Sequence, residues 1–197
     1  MDEGVLLKLV SFGDELVKDG APKLLAEMLG YDFLDLAKND TSNQQIFRDV
    51  IKYICESETK DCFILIGWTN GKRLEINWKD KNFTYRPDVN EYVDNGINAL
   101  HFSDDILFDD ILVGQHRASE AYVLQELFLG EQIKYYMYNT QDCIVFNEKT
   151  YSYLRALKGR YYYNPLNKES SMKYFLEKQK PKDPTTCWAE FLRDKIK

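Results

Sequence analysis

The stretch that decides the predicted fold reads Cys62-Phe-Ile-Leu-Ile-Gly-Trp68, then Thr-Asn-Gly-Lys, then Arg73-Leu-Glu-Ile-Asn-Trp78. Two apolar-rich runs of strand length flank Asn70-Gly71, and this dipeptide favours a type I′ turn because both of its residues tolerate positive φ. We therefore predict an antiparallel β-hairpin in which Thr69 pairs with Lys72. This pairing fixes the register of the two strands.

The predicted register sorts the hairpin side chains onto two faces. One face is apolar throughout and is expected to meet the core; it carries Phe63, Leu65, Gly67, Leu74, Ile76 and Trp78. The other face sets Ile64, Ile66 and Trp68 opposite Asn77, Glu75 and Arg73. This second face needs a cover, which is either a helix of the same chain or a partner. A cluster of Trp and Arg is typical of interface hot spots, so Ile64, Ile66, Trp68 and Arg73 are candidate partner-binding residues.

Helical patterns precede the hairpin. Apolar residues recur at helical spacing in the first 17 residues, at Val5, Leu6, Leu9, Val10, Leu16 and Val17. A second helix is predicted from Pro22 to Gly30. A third begins near Thr41 or Ser42, with Gln45 placed as in a capping box. The N-terminal third is therefore predicted to be helical.

Shorter patterns fill the rest of the chain. Strands are expected at 82–86, 133–138 and 143–146, and helices at 116–129, 148–158, 169–179 and 185–196. Helices, then antiparallel strands, then helices again favour an α+β fold over a parallel sheet. The prediction is one α+β domain over residues 1–197, with an antiparallel sheet built from hairpins at about 62–86 and 133–146 and a helical C-terminal segment.

Composition excludes several classes of protein. The 197 residues are 44% hydrophobic and 29% charged, which is typical of a globular chain. The four cysteines form no C-x-x-C pair, no run approaches the length of a membrane span, and the first residues are acidic rather than basic. We therefore expect a cytoplasmic protein that makes no membrane contact. No phosphate-binding glycine motif and no convincing nucleophile arrangement occurs, so no cofactor is predicted.

Charge is distributed unevenly along the chain. Residues 148–197 hold twelve Lys and Arg against six Asp and Glu, a net of +6, which leaves −12 for residues 1–147 out of the total of −6. The leading hypothesis is a non-enzymatic, acidic interaction protein that binds and neutralises a basic protein partner. Its acidic contacts would be Asp104, Asp105, Asp109 and Asp110, beside the hairpin residues given above.

The basic, tyrosine-rich end of the chain supports a first alternative. Lys and Arg neutralise phosphates and Tyr rings stack on unpaired bases, which is the chemistry of a single-stranded nucleic-acid-binding protein. Its candidate residues are Arg155, Arg160, Tyr161, Tyr162, Tyr163 and Lys168. The same segment is equally suited to pack against the acidic part of the chain.

The acidic segment 101–116 supports a second alternative, a metal-dependent enzyme. In a helix, His101, Asp105 and Asp109 would share one face, and His116 is the other histidine of the segment. Imidazole and carboxylate groups are ligands that divalent cations accept. An amphipathic element with a solvated acidic side explains the same pattern.

Overall fold

The computed structural model describes residues 7–18, 20–69, 73–78, 81–85, 110–141, 157, 161–162 and 171–196. The strands are β1 (Lys8–Phe12), β2 (Asp32–Asp35), β3 (Cys62–Trp68), β4 (Leu74–Trp78), β5 (Lys81–Tyr85), β6 (Lys134–Asn139) and β7 (Tyr161–Tyr162). The helices are α1 (Ala21–Leu29), α2 (Asn43–Glu56), α3 (Asp110–Gly130), α4 (Met172–Gln179) and α5 (Pro184–Ile196).

The main sheet is parallel. Its strand order is β2-β1-β3-β6-β7, and each neighbouring pair runs in the same direction. The chain leaves β1 towards β2 on one side, then crosses back over β1 to β3 and continues outward to β6. Strands β4 and β5 form a separate antiparallel pair in which Trp78 lies opposite Lys81.

The predicted α+β fold with a hairpin-based antiparallel sheet is therefore wrong. Cys62–Trp68 is a strand, as predicted, but its neighbours are β1 and β6, both parallel to it. Leu74–Trp78 is also a strand, yet it pairs with β5 and not with β3. The reason lies in β3 itself, whose seven residues are all buried. A strand covered on both faces belongs in the middle of an α/β sheet, where a hairpin with one charged face would not fit.

The predicted N-terminal helix is also wrong over the residues that the structure describes. Leu9 and Val10 belong to β1, a strand whose last four residues are buried. Over five residues, the apolar positions expected for a helix and for a short buried strand are nearly the same, so the sequence pattern does not distinguish the two structures. Tertiary packing decides the outcome, because β1 is held between β2 and β3.

Helices cover both faces of the sheet. On one face α2 and α3 pack on alternate residues of β1, β3 and β6, including Val10, Ile64 and Met137. On the other face α1, α4 and α5 pack on the intervening residues, including Leu9 and Leu65. Helix α1 lies in the crossover from β1 to β2, and α2 lies in the crossover that returns from β2 past β1 to β3. The two crossovers run in opposite directions across the sheet, so crossovers of the same hand place α1 and α2 on opposite faces. The result is a three-layer α/β arrangement.

Several predicted helices are confirmed. The first has Pro22 in its first turn and ends at Gly30, whose backbone is left-handed at φ 68°. Helix α2 begins after Ser42, whose hydroxyl accepts a hydrogen bond from the amide of Gln45 at 3.1 Å. Helix α5 buries Trp188 and Leu192. Helix α3 begins at Asp110, earlier than the predicted start. The strand predicted at 143–146 and most of the helix at 148–158 lie outside the described residues.

Candidate functional site at the carboxyl edge of the sheet

The strand order reverses between β1 and β3, because the chain runs from β1 to β2 on one side and from β3 to β6 on the other. We call this point the switch point of the sheet. In open α/β sheets, ligands bind beyond the carboxyl ends of the strands at the point where the strand order reverses. Three polar residues follow strands at this edge: Thr69 comes directly after β3, Thr140 directly after β6, and Asp14 two residues after the end of β1. All three are fully buried.

Asp14 connects these strand ends. Its Oδ2 accepts a hydrogen bond from the Thr69 hydroxyl at 2.5 Å, and its Oδ1 accepts one from the amide of Leu16 at 3.0 Å. The Thr140 hydroxyl lies 3.4 Å from Oδ2 and 2.9 Å from the carbonyl of Trp68, so its proton goes mainly to that carbonyl. Burial raises the pKa of Asp14, although the bond from Thr69 acts in the opposite direction. The ionised carboxylate is thus held at a cost in free energy.

Asn43 fixes the backbone of Thr69. Its Nδ2 donates to the Thr69 carbonyl at 3.1 Å, and its Oδ1 accepts from the Thr69 amide at 2.9 Å. Asn43 is the first residue of α2, placed by the cap at Ser42, so the two bonds tie the start of α2 to the end of β3. Both partners are buried, which makes each bond expensive to lose.

Glu15 and Arg73 form a two-pronged ion pair beside Asp14. Arg73 Nη2 and Nη1 donate to the two carboxylate oxygens of Glu15 at 2.5 Å and 3.0 Å. Arg73 Nη1 also lies 3.8 Å from Asp14 Oδ2. The bond from Arg73 lowers the pKa of Glu15 to about 2. The side chain of Glu15 is 36% exposed and that of Arg73 only 10%, so a molecule arriving from solvent meets an ionised carboxylate first.

Two glycines allow the strand ends to approach each other. A Cβ on Gly67 would overlap a methyl group of Val17 and lie 3.1 Å from the Thr140 methyl. A Cβ on Gly13 would overlap the same Val17 side chain and lie 2.8 Å from the carbonyl of Gly67. The turn that carries Asp14 can therefore lie directly against β3. This contact brings Asp14 within reach of Thr69.

Of the predicted partner-binding residues that the structure describes, Arg73 contributes its side chain to this cluster. Ile64, Ile66 and Trp68 are fully buried, because α2 and α3 cover that face of β3. A helix of the same chain is therefore the cover that the second face required. These three side chains offer no exposed surface to a partner. Asp104, Asp105 and Asp109 lie outside the described residues, and Asp110 begins α3.

The two alternative sites fall largely on residues that the structure does not describe. His101 belongs to this group, as do Arg155, Arg160, Tyr163 and Lys168, whereas Tyr161 and Tyr162 form β7. His116 is exposed on α3. Within the described part of the chain, no group of three or more His, Cys, Asp or Glu side chains is arranged to hold a metal ion. The nucleic-acid and metal hypotheses stay predictions.

Sequence reasoning missed Asp14, Glu15, Asn43 and Thr140. The signal that would have found three of them is position, because Asp14, Glu15 and Thr140 come just after apolar strands. That position carries meaning only once the strands are known to be parallel, since parallel strands bring their carboxyl ends to one edge. Asn43 is found only through its contact with Thr69, 26 residues further along the chain.

The fold and this polar cluster define a doubly wound α/β protein with a candidate ligand site at its switch point. No protein-family model matches the chain, and a search of curated proteins finds no significant match either. Among the helices that the structure describes, none combines the length and apolar character needed to cross a membrane.

Proposed function

We propose that this chain is a small-molecule-binding α/β protein whose ligand is held at the carboxyl edge of β1 and β3. The observation that supports this most directly is Asp14, a fully buried carboxyl at the switch point with a raised pKa. Titratable groups perturbed by burial in such positions concentrate at functional sites. A purely structural role for this residue would be served at lower cost by an uncharged side chain.

The chemistry of the edge favours a ligand that donates hydrogen bonds. Glu15 is ionised, and it is the most exposed member of the Asp14, Glu15 and Arg73 group. The guanidinium group of Arg73 is already engaged by Glu15, and Glu15 Oε2 also accepts from the amide of Asp40, so the remaining acceptor capacity of Glu15 is mainly on Oε1. Hydroxyl and amino groups of a polar ligand suit this acceptor.

Amide chemical shifts in the presence of small polar compounds test the proposal. A set of polyols, amino acids, amino sugars and nucleosides is added to isotope-labelled protein, one class at a time. We expect at least one class to shift the amides of residues 13–16, 40–43, 69 and 140 as a group. Shifts confined to other surfaces, or none from any class, would overturn the proposal.

A matched pair of variants separates this site from general effects. Glu15→Gln removes the accessible charge and should weaken binding of the active class. Glu56→Gln alters a 63% exposed carboxylate near the last turn of α2, at the far end of that helix, and should leave binding unchanged. Equal loss in both variants would point to net charge rather than to the site.

The acidic interaction hypothesis stays a separate prediction. The binding and neutralising of a basic protein would now depend on Asp104, Asp105, Asp109 and Asp110, without the buried residues of β3. A charge-reversed form of that segment that still captured the same basic partner would contradict it.

A further inference from the structure

Two buried hydrogen-bond donors lie together on the α2 and α3 face of β3. The guanidinium carbon of Arg117 stands 4.4 Å from the centre of the Trp68 ring. Arg117 is 4% exposed and Trp68 is fully buried. Arg117 comes from α3 and Trp68 is the last residue of β3, immediately before Thr69.

The donors of this pair are only partly used. Arg117 Nη1 donates to Glu120 Oε2 at 2.9 Å, which engages one side of the guanidinium group. Arg117 Nε and Trp68 Nε1 have no acceptor among the residues that the structure describes. Buried donors are almost always paired in folded proteins, since an unpaired one forfeits its hydrogen bond to water.

We propose that Arg117 Nε and Trp68 Nε1 bind an oxyanion, the carboxylate or phosphate group of the ligand that enters at the carboxyl edge. A stacked guanidinium supplies charge as well as an N–H, and charge-assisted bonds to oxyanions are the strong class. The inference rests on the proposed function, because the hydrogen-bond donors on the rest of the ligand would bind Glu15. Together the two ends define a ligand with an anionic group and hydroxyl or amino groups.

The end of β3 links this pair to the proposed site. The carbonyl of Trp68 accepts from the amide and the hydroxyl of Thr140, so the backbone at the end of β3 is fixed on that side. Trp68 and Thr69 are adjacent in the chain, but their side chains leave β3 on opposite faces, so the ligand would span the end of β3 between the indole and Asp14. Glu120 accepts from Nη1 and leaves Nε without an acceptor among the described residues.

The side-chain N–H signals of Arg117 and Trp68 test the inference directly, with inorganic phosphate as the probe and acetate as the second arm. We expect phosphate, acetate or both to shift the Arg117 Nε–H and Trp68 Nε1–H signals together, and to leave the indole signal of Trp188 on the opposite face unmoved. The stronger arm identifies the oxyanion. Signals of Arg117 and Trp68 that stay fixed in both titrations would overturn the inference.

A conservative substitution supplies the control. Arg117→Lys keeps the positive charge but removes the Nε donor, so oxyanion affinity should fall roughly tenfold, the equivalent of about one hydrogen bond. Arg48→Lys, on the exposed side of α2, should change nothing. Unchanged affinity in Arg117→Lys would overturn the inference. Should Arg117→Lys not fold, the wild-type titration still decides. If oxyanions shift the Arg117 and Trp68 signals but polar compounds do not shift the amides around Glu15, this inference is retained and the proposed function is overturned.

Discussion

At the residue scale, the buried carboxyl of Asp14 couples folding to pH. Burial raises its pKa above the ordinary 3.8, so the folded chain keeps this proton at pH values where the unfolded chain has released it. The stabilisation from the protonated group is complete below that ordinary value and is lost as the pH rises through the folded-state pKa. At neutral pH Asp14 therefore lowers the free energy of unfolding.

We expect Asp14→Asn to gain stability relative to the wild type as the pH rises from about 4 to about 8. The gain should be about 1.4 kcal/mol for each unit by which the folded pKa exceeds the unfolded pKa. Urea unfolding of both proteins across this pH range measures it. A difference that does not change with pH would contradict the raised pKa. Together with lost ligand binding, a gain would mark a residue kept for function at a cost in stability.

The effect of pH on the stabilisation from Glu15 is opposite to that for Asp14. The bond from Arg73 lowers its pKa from 4.5 to about 2, so its stabilisation is present above the ordinary value and is lost as the pH falls towards the folded one. We expect Glu15→Gln to lower the free energy of unfolding by about 1 kcal/mol at neutral pH, a modest value because the carboxylate is partly exposed. The deficit should shrink below the ordinary pKa. Glu56→Gln, whose ion pair with Lys52 is long and exposed, serves as the control and should show almost no change.

At the scale of elements, Asn43 joins α2 to the end of β3. We expect Asn43→Ala to lower the free energy of unfolding by about 2 to 4 kcal/mol, because both the amide and the carbonyl of Thr69 lose buried partners. Its neighbour provides the comparison, since Ser42→Ala removes only the helix cap and should cost about 1 kcal/mol. Chemical denaturation of the two variants gives the order. If Ser42→Ala proved the more damaging, α2 would not depend on this connection.

Gly67 tests the contact between the turn after β1 and β3. We expect Gly67→Ala to destabilise the fold by about 2 to 3 kcal/mol, because its Cβ overlaps Val17. Val17→Ala alone leaves a cavity, but in the double variant it makes room for the new methyl group. The two changes should therefore be less damaging together than their sum, which a double-mutant cycle measures. Strict additivity would contradict the close approach.

The elements also show what the sequence could reveal. Ser42 with Gln45, and Pro22 with Gly30, identify α2 and α1 through local chemistry that needs no tertiary information. The partners of β3 depend on residues far away, and Asn70-Gly71 pointed to the wrong one. The unbroken apolar run of Cys62–Trp68 was the better guide, because a strand that is buried on both faces has a continuous run of apolar residues rather than alternating apolar and polar ones. The candidate site followed from that topology, so it was missed with it.

At the scale of the whole molecule, the strand order predicts how backbone amides exchange with solvent. Strand β3 lies between β1 and β6 and is covered by helices on both faces. Its amides therefore exchange with solvent only when the core itself unfolds. Strand β2 stands at the edge of the sheet as far as the chain is described. The amides of Asp32 and Leu36 bond to the β1 side, and by the alternation of a parallel ladder that of Phe33 points outward.

Hydrogen exchange followed by NMR should therefore find Ile64 and Ile66 among the slowest amides of the chain and Phe33 among the fast ones of the sheet. The antiparallel hairpin predicted from Asn70-Gly71 implies a different order, because β3 would then pair with β4 and one of its faces would need a separate cover. Slow exchange at every residue from Phe63 to Gly67 requires partners on both sides of β3. Alternating fast and slow amides along that strand would place it at an edge and would contradict the parallel sheet, and with it the switch point on which the proposed site depends.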